Sequence, residues 1–246
     1  MEDLTPRQVE ILKAIIQEYT ENAEAVGSEI LEKKYKLGVS PATIRNEMVE
    51  LTKKGYLKKT HFSSGREPSA KGFRLYIKHL MKAKELSTTD EVAFKNSVWD
   101  ERTEAHRLLQ QATKTLADKT DLLSLSATNF GDLYYAGVGN LLSKPEFLDL
   151  GLSKNLFLLL DEVDYWERVL DKFYRLDEDI LYLLGEEDFR DPILESCGCI
   201  FGEFEGKKIK GIIGVLGPKR MYYAEISPQI RYISQLIGDI VKAQGL

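Results

Sequence analysis

Val9, Leu12, Ile15, Ile16 and Tyr19 recur at intervals of three and four residues, the spacing that gathers side chains on one helical face. Thr5-Pro6-Arg7-Gln8 supplies the start: Thr5 caps, Pro6 suits the first helical position and Gln8 completes a capping box. The pattern fades at Glu21-Asn22. Ser28 is the next capping candidate, ahead of a short helix Glu29 to Tyr35 that carries Ile30 and Leu31. Leu37-Gly38-Val39 forms a turn in which Gly38 takes a positive φ. Ser40-Pro41 then opens a third helix, whose Ile44, Met48 and Leu51 at i, i+4 and i+7 face a core. Gly55 ends that helix and Tyr56-Leu57 begins an extended segment. Two short strands around the turn between Lys58 and Arg66 predict a hairpin closed by Pro68 and Ser69. Lys71 to Ile77 reads as the next helix or its approach.

Beyond a polar connector, Lys84 to Asp90, the pattern changes. Thr103 to Lys119 is expected to be helical, with Leu108, Leu109, Ala112 and Leu116 on one side. Leu122 to Ala127, Leu133 to Val138 and Ile180 to Leu184 read as strands. Leu152 to Tyr174 reads as one amphipathic helix through Leu156, Leu159, Leu160, Val163 and Leu170. Cys197 to Phe204 and Ile209 to Leu216 predict a hairpin joined by Glu205-Gly206-Lys207-Lys208. Ser227-Pro228 starts a last helix whose Ile230, Ile233, Ile237 and Ile240 pack on a sheet or, alternatively, form a dimer seam. The expected fold class is α+β: a winged helix-turn-helix in residues 1–84, then an α+β domain in residues 85–246.

Charge sharpens this division. The net charge of −5 hides 16 basic against 11 acidic residues in positions 1–84, and 14 against 3 between Lys33 and Lys84. Such a local surplus is the footprint expected for a polyanion partner. The outer face of the third helix carries Ala42, Asn46, Val49 and Lys53, flanked by Thr43 and Arg45, with Ser40 at its start. Small, amide and guanidinium side chains there suit a major groove, where Arg pairs with guanine, Asn with adenine and a methyl packs on thymine. The wing offers Lys58, Lys59 and Arg66 for phosphates or the minor groove.

Other chemistry is weakly represented. Gly202 to Lys207 has one residue too few between its glycines for a phosphate loop, Gly137-Val138-Gly139 lacks the third glycine of a dinucleotide fingerprint, and there is no Gly-x-Ser-x-Gly elbow. No catalytic, metal or cofactor site is expected. Cys197 and Cys199, two apart on a strand, read as free thiols of a reducing cytosol, and His61, His79 and His106 are scattered. The longest apolar run, near Leu156 to Leu160, is far short of the roughly 20 residues of a membrane span, and the acidic start has no signal-peptide layout. A cytoplasmic protein is expected.

The sequence resembles a known family, the heat-inducible transcription repressors HrcA of bacteria. The resemblance is dense over residues 4–77 and rests on Leu37-Gly38-Val39-Ser40-Pro41-Ala42-Thr43-Ile44-Arg45-Asn46-Glu47-Met48, Ser63-Ser64-Gly65-Arg66 with Pro68, and Lys71 to Tyr76. It continues in Tyr135 to Leu142, Pro145-Glu146-Phe147, Gly185-Glu186-Glu187 and Gly214 to Ala224. The resemblance implies that Ser40, Thr43, Arg45 and Asn46 sit at a recognition helix and that Ser64, Gly65 and Arg66 sit in the wing. It implies a GAF-like sensor domain in the second half. It also implies a homodimer that represses class I heat-shock operons through an inverted-repeat operator, with the chaperonin GroEL as a partner. The chain is shorter than family members: only Thr128 to Asp132 stand between Ala127 and Leu133, where those carry more strands and an inserted dimerisation domain. Two other readings stay open: a ligand-responsive regulator of other genes, and an interaction module with only salt-sensitive, sequence-blind DNA affinity.

Overall fold

A computed structural model describes residues 3–59, 65–162, 165–166, 168–169, 179–185, 188 and 195–245. The chain divides into two compact units, Met1–Lys82 and Ala83–Leu246.

In the first unit, α1 (Pro6–Asn22), α2 (Ser28–Tyr35) and α3 (Pro41–Lys53) are followed by an antiparallel pair, β1 (Leu57–Lys59) and β2 (Arg66–Pro68). A short α4 (Ala70–Leu75) then runs into a π-helical turn, Tyr76–Leu80. The capping box is present: Thr5 Oγ1 accepts from Gln8 N, and Gln8 Oε1 accepts from Thr5 N, both at 3.2 Å. Ile11, Leu12, Ile15 and Ile16 of α1 are buried, as are Ile44, Met48 and Leu51 of α3. Ser28 does not cap α2. Val26 is locked in a bridge to Arg66, exchanging backbone bonds of 2.9 and 3.0 Å, so the chain stays extended through Gly27 and turns helical at Ser28. The tip of the hairpin, including Ser64, lies outside the described residues.

The second unit is built on a five-stranded antiparallel sheet of order β4-β3-β7-β6-β5. Its strands are β3 (Leu123–Thr128), β4 (Leu133–Ala136), β5 (Ile180–Leu184), β6 (Cys197–Glu205) and β7 (Lys210–Pro218). Both faces are covered, and the period of two separates them. One face, with Leu123, Leu125, Leu181, Leu183 and Phe201, packs under α7 (Val138–Leu142), a 3-10 turn (Pro145–Leu148) and α8 (Leu150–Asp161). The cysteines share this face, both fully buried and unbridged, and burial pushes the Cys199 thiol well up. The other face lies under α6 (Ala105–Thr120) and α9 (Tyr223–Gln244), with α5 (Thr88–Trp99) against α6. Gly202 permits the closest approach, since a Cβ there would lie 2.5 Å from Ser234 Oγ on α9.

Three expectations need correction. The connector after Lys84 gives way to α5, capped by Ser87. The helix expected over residues 152–174 stops at Asp161, and Trp166 Nε1 donates to the Leu159 carbonyl at 3.1 Å; Val163 and Leu170 lie outside the described residues. The last helix begins at Tyr223 instead of Ser227, and Pro228 lies inside it. Proline has no N–H for the Ala224 carbonyl. The Lys84 amide fills that place at 2.9 Å, and Lys84 Nζ pairs with Glu225 at 2.8 Å.

Candidate nucleic-acid interface

The site begins with how α3 is held. Ser40 adopts an extended conformation and its Oγ accepts from Thr43 N at 3.2 Å, which fixes the first turn. The buried stripe Ile44, Met48 and Leu51 fixes the rotation about the axis. Gln8 of α1, itself buried, pins the flank: its Nε2 donates to Glu47 and its Oε1 accepts from Lys54, both at 3.0 Å. Ala42, Arg45 and Asn46 are exposed on the outer side, and Thr43 is half-buried beside them. Lys53 lies on the same stripe, two turns beyond Asn46, with Nζ 2.7 Å from Glu50.

The predicted residues therefore fall into three groups. Ser40, Ala42, Thr43, Arg45 and Asn46 share the N-terminal half of α3. Lys58 and Lys59 are exposed on β1, and their side chains leave opposite faces of the strand. Gly65 and Arg66 are engaged within the fold. A Cβ at Gly65 would come within 2.8 Å of the Ala25 carbonyl, and the Arg66 guanidinium donates to Thr52 Oγ1 at 3.1 Å and to Gly65 O at 3.0 Å. Arg66 fastens β2 to α3, and Gly65 lets the chain pass close to Ala25.

Sequence reasoning passed over the start of α2. Gly27 supplies no side-chain cap, and Gly27, Ser28, Glu29 and Ile30 line a cavity of about 240 Å³ that Arg45, Met48 and Arg66 complete.

A second polar cluster ties α2 to α1. Glu18 is 5% exposed, and its carboxylate accepts from Lys34 Nζ at 2.8 and 3.0 Å, from Asn22 Nδ2 at 2.8 Å and from Tyr35 OH at 3.1 Å. The bond to Glu18 raises the Lys34 pKa, while burial and then Glu18 raise that of Tyr35.

A rigidly seated helix that displays amide, guanidinium and methyl groups from a basic unit, followed in the chain by an acidic sheet unit, has the build of a transcription regulator. Comparison with known proteins agrees. The family model described as "HrcA protein C terminal domain" matches residues 42–226. The "Heat-inducible transcription repressor HrcA" of Pelotomaculum thermopropionicum is 42% identical over 98% of this chain and 99% of its own length. That of Desulforamulus reducens is 28% identical over 97% and 98%. The chain belongs to the HrcA family, and is a transcription repressor of the heat-inducible kind, not an enzyme. These alignments extend over 351 and 343 positions against 246 residues here, so the relatives carry residues that this chain lacks. A solved structure described as that of a hypothetical protein shares the fold, with a TM-score of 0.72 at 18% identity, over 98% of this chain and 99% of its own. Among the described residues no helix is long and apolar enough to cross a membrane.

Proposed function

We propose that the first unit is a winged helix-turn-helix and that the protein represses class I heat-shock operons in the cytoplasm, binding an inverted-repeat operator as a homodimer. The observation that carries this reading is the exposed group Ala42, Arg45 and Asn46 at the capped end of a helix whose opposite face is locked into the core. In this reading α3 enters the major groove, Arg45 and Asn46 meet base edges, and Ser40 and Thr43 approach the backbone. Lys53, Lys58 and Lys59 supply phosphate contacts, with Ser64 at the wing tip. Gly65 and Arg66 hold the wing in place. The second unit is read as a GAF-like sensor, and GroEL as the partner that sustains repression.

The test is fluorescence anisotropy with a palindromic heat-shock operator and a scrambled duplex at about 150 mM salt, where specific binding exceeds nonspecific by about a thousandfold or more. Arg45→Ala and Asn46→Ala are each expected to cost about 1–3 kcal/mol on the operator and little on the scrambled duplex. Equal affinity for both duplexes, or unchanged operator binding by both variants, overturns the assignment.

A second reading, a ligand-responsive regulator of other genes, is favoured by a cavity of about 310 Å³ in the second unit. His106, Leu109, Phe130, Tyr134 and Ile209 line it, and His106 Nδ1 lies 2.9 Å from Tyr134 OH. A thermal-shift screen against metabolites tests it, because a ligand that binds only the folded state raises its stability.

A further inference from the structure

Among the described residues of the second unit, the most exposed large apolar side chain, Leu150, lies on α8. Its inner stripe, Leu152, Leu156 and Leu160, is buried under the sheet. Its outer stripe runs Leu150, Lys154, Phe157, Leu158 and Asp161, at helical spacings of four, three, one and three. Leu150 is 82% exposed, Leu158 is 52% exposed, and Leu148 on the adjoining 3-10 turn is 76% exposed. Together with Leu142 and Phe147 they border an open groove of about 610 Å³. Clustered exposed leucines of this kind mark an interaction surface more often than scattered ones do.

The charges on the stripe identify the occupant. Lys154 and Asp161 stand on either side of Phe157 and Leu158, equally far from the midpoint between those two residues. Both are exposed, and no ion pair is formed by either among the described residues. They are two turns apart, roughly 10 Å along the axis, too far to pair with one another. A second α8, turned end for end about a two-fold axis through that midpoint, brings its Asp161 opposite Lys154 and its Lys154 opposite Asp161. Its Phe157 and Leu158 then meet Leu158 and Phe157. One positive and one negative end flanking an apolar centre is the self-complementary pattern of an isologous contact. A partner of uniform charge would match only one end.

We propose that a second copy of this chain docks here, α8 against α8 in antiparallel, with Lys154 paired to the partner's Asp161 twice over. The inference supplies the interface for the dimeric repressor proposed above, and rests on that reading for its purpose but not for its geometry.

The test is sedimentation equilibrium of the full chain at about 50 mM salt, where screening of surface charges is modest. A dimer is expected. Lys154→Asp sets two carboxylates against each other at both ends of the contact, and should weaken the dimer about tenfold or more. Asp161→Lys sets two ammonium groups against each other and should do the same. The double charge swap restores opposite charges and should return the dimer to near wild-type affinity, a rescue that damage to the fold would not give. Leu158→Asp should yield monomers whose thermal melting, followed by circular dichroism, matches that of wild type at monomer concentrations. A wild-type chain that stays monomeric overturns the inference. So does a dimer indifferent to Leu158→Asp, or one that the double swap fails to restore. Operator anisotropy on the same samples separates the two proposals: a dimer that fits this pattern but ignores the operator refutes the repressor's operator and leaves the interface standing. A dimer formed elsewhere that still binds the operator does the reverse.

Discussion

Glu18 offers a direct measure of how firmly α2 is joined to α1. Glu18→Gln keeps the shape but replaces one carboxylate oxygen by an amide nitrogen. The remaining oxygen still accepts from Asn22 or Lys34, and the Tyr35 hydroxyl can turn to accept from the new amide. What is lost is the charge that both Lys34 contacts use. The lysine side chain is 53% exposed, so screening keeps the pair's worth small and the loss from Glu18→Gln is expected to be modest. Glu18→Ala also removes the acceptor of the half-buried Tyr35 hydroxyl, while the exposed Asn22 amide keeps its bond to the residue 18 carbonyl, and should cost about 1–2 kcal/mol. Hydrogen exchange of α1 and α2 peptides reads this locally: Glu18→Gln should lower protection about 2- to 5-fold if these helices open with the whole first unit. The cluster also has an alkaline signature. Lys34 holds its proton above its ordinary 10.5 and Tyr35 above its ordinary 10.0, so the folded state binds more protons than the unfolded one at high pH. Their stabilisation is complete below pH 10 and is lost as pH rises through the raised values. The urea midpoint should hold from pH 8 to about pH 10 and fall above it, and fall less in Glu18→Gln. Unchanged protection in both variants would refute the claim that this carboxylate joins the helices.

Two further perturbations address the second unit. Gly202→Ala drives a methyl into Ser234 and should cost about 1–3 kcal/mol in urea unfolding; Ser234→Gly in the same chain should recover most of it, and a purely additive double variant would show that the close approach is not the cause. Burial, and then repulsion from Glu205, raise the Glu203 pKa above its ordinary 4.5, so its proton is bound more tightly in the fold and stability falls as pH rises through that window. Glu203→Gln should therefore raise the melting temperature at pH 7 and lose that advantage below about pH 4; no gain at pH 7 would count against a desolvated carboxylate there.

How much of this was legible depended on whether the cause was local. Ser40-Pro41 and the stripe Ile44, Met48 and Leu51 carry their explanation within a dozen residues, and α3 forms as expected, with Ala42, Arg45 and Asn46 outward. The strand Ile180–Leu184 has the expected bounds because its apolar run is short and cleanly flanked. α5 was hidden because it buries only Phe94 and Val98, too thin a stripe to register as amphipathic. Ser28 looked like a cap because serine usually is one; the bridge from Val26 to Arg66, forty residues ahead, decides otherwise. The neighbours of Gly65 and Arg66 were hidden for the same reason, since Ala25 and Thr52, which they meet, are distant in sequence.

The proline inside α9 has a consequence for the chain that leaves the first unit. By withholding its own donor it leaves the Ala224 carbonyl open to a rival from outside the helix, and the Lys84 amide holds that place. Any other residue at 228 would bring a competing N–H into the same helix, closer and already aligned. The backbone bond of Lys84 thus owes its place to the absence of a competitor: one substitution that strengthens the helix would weaken it and leave the ion pair with Glu225 to hold the connector, with the sheet and its core untouched.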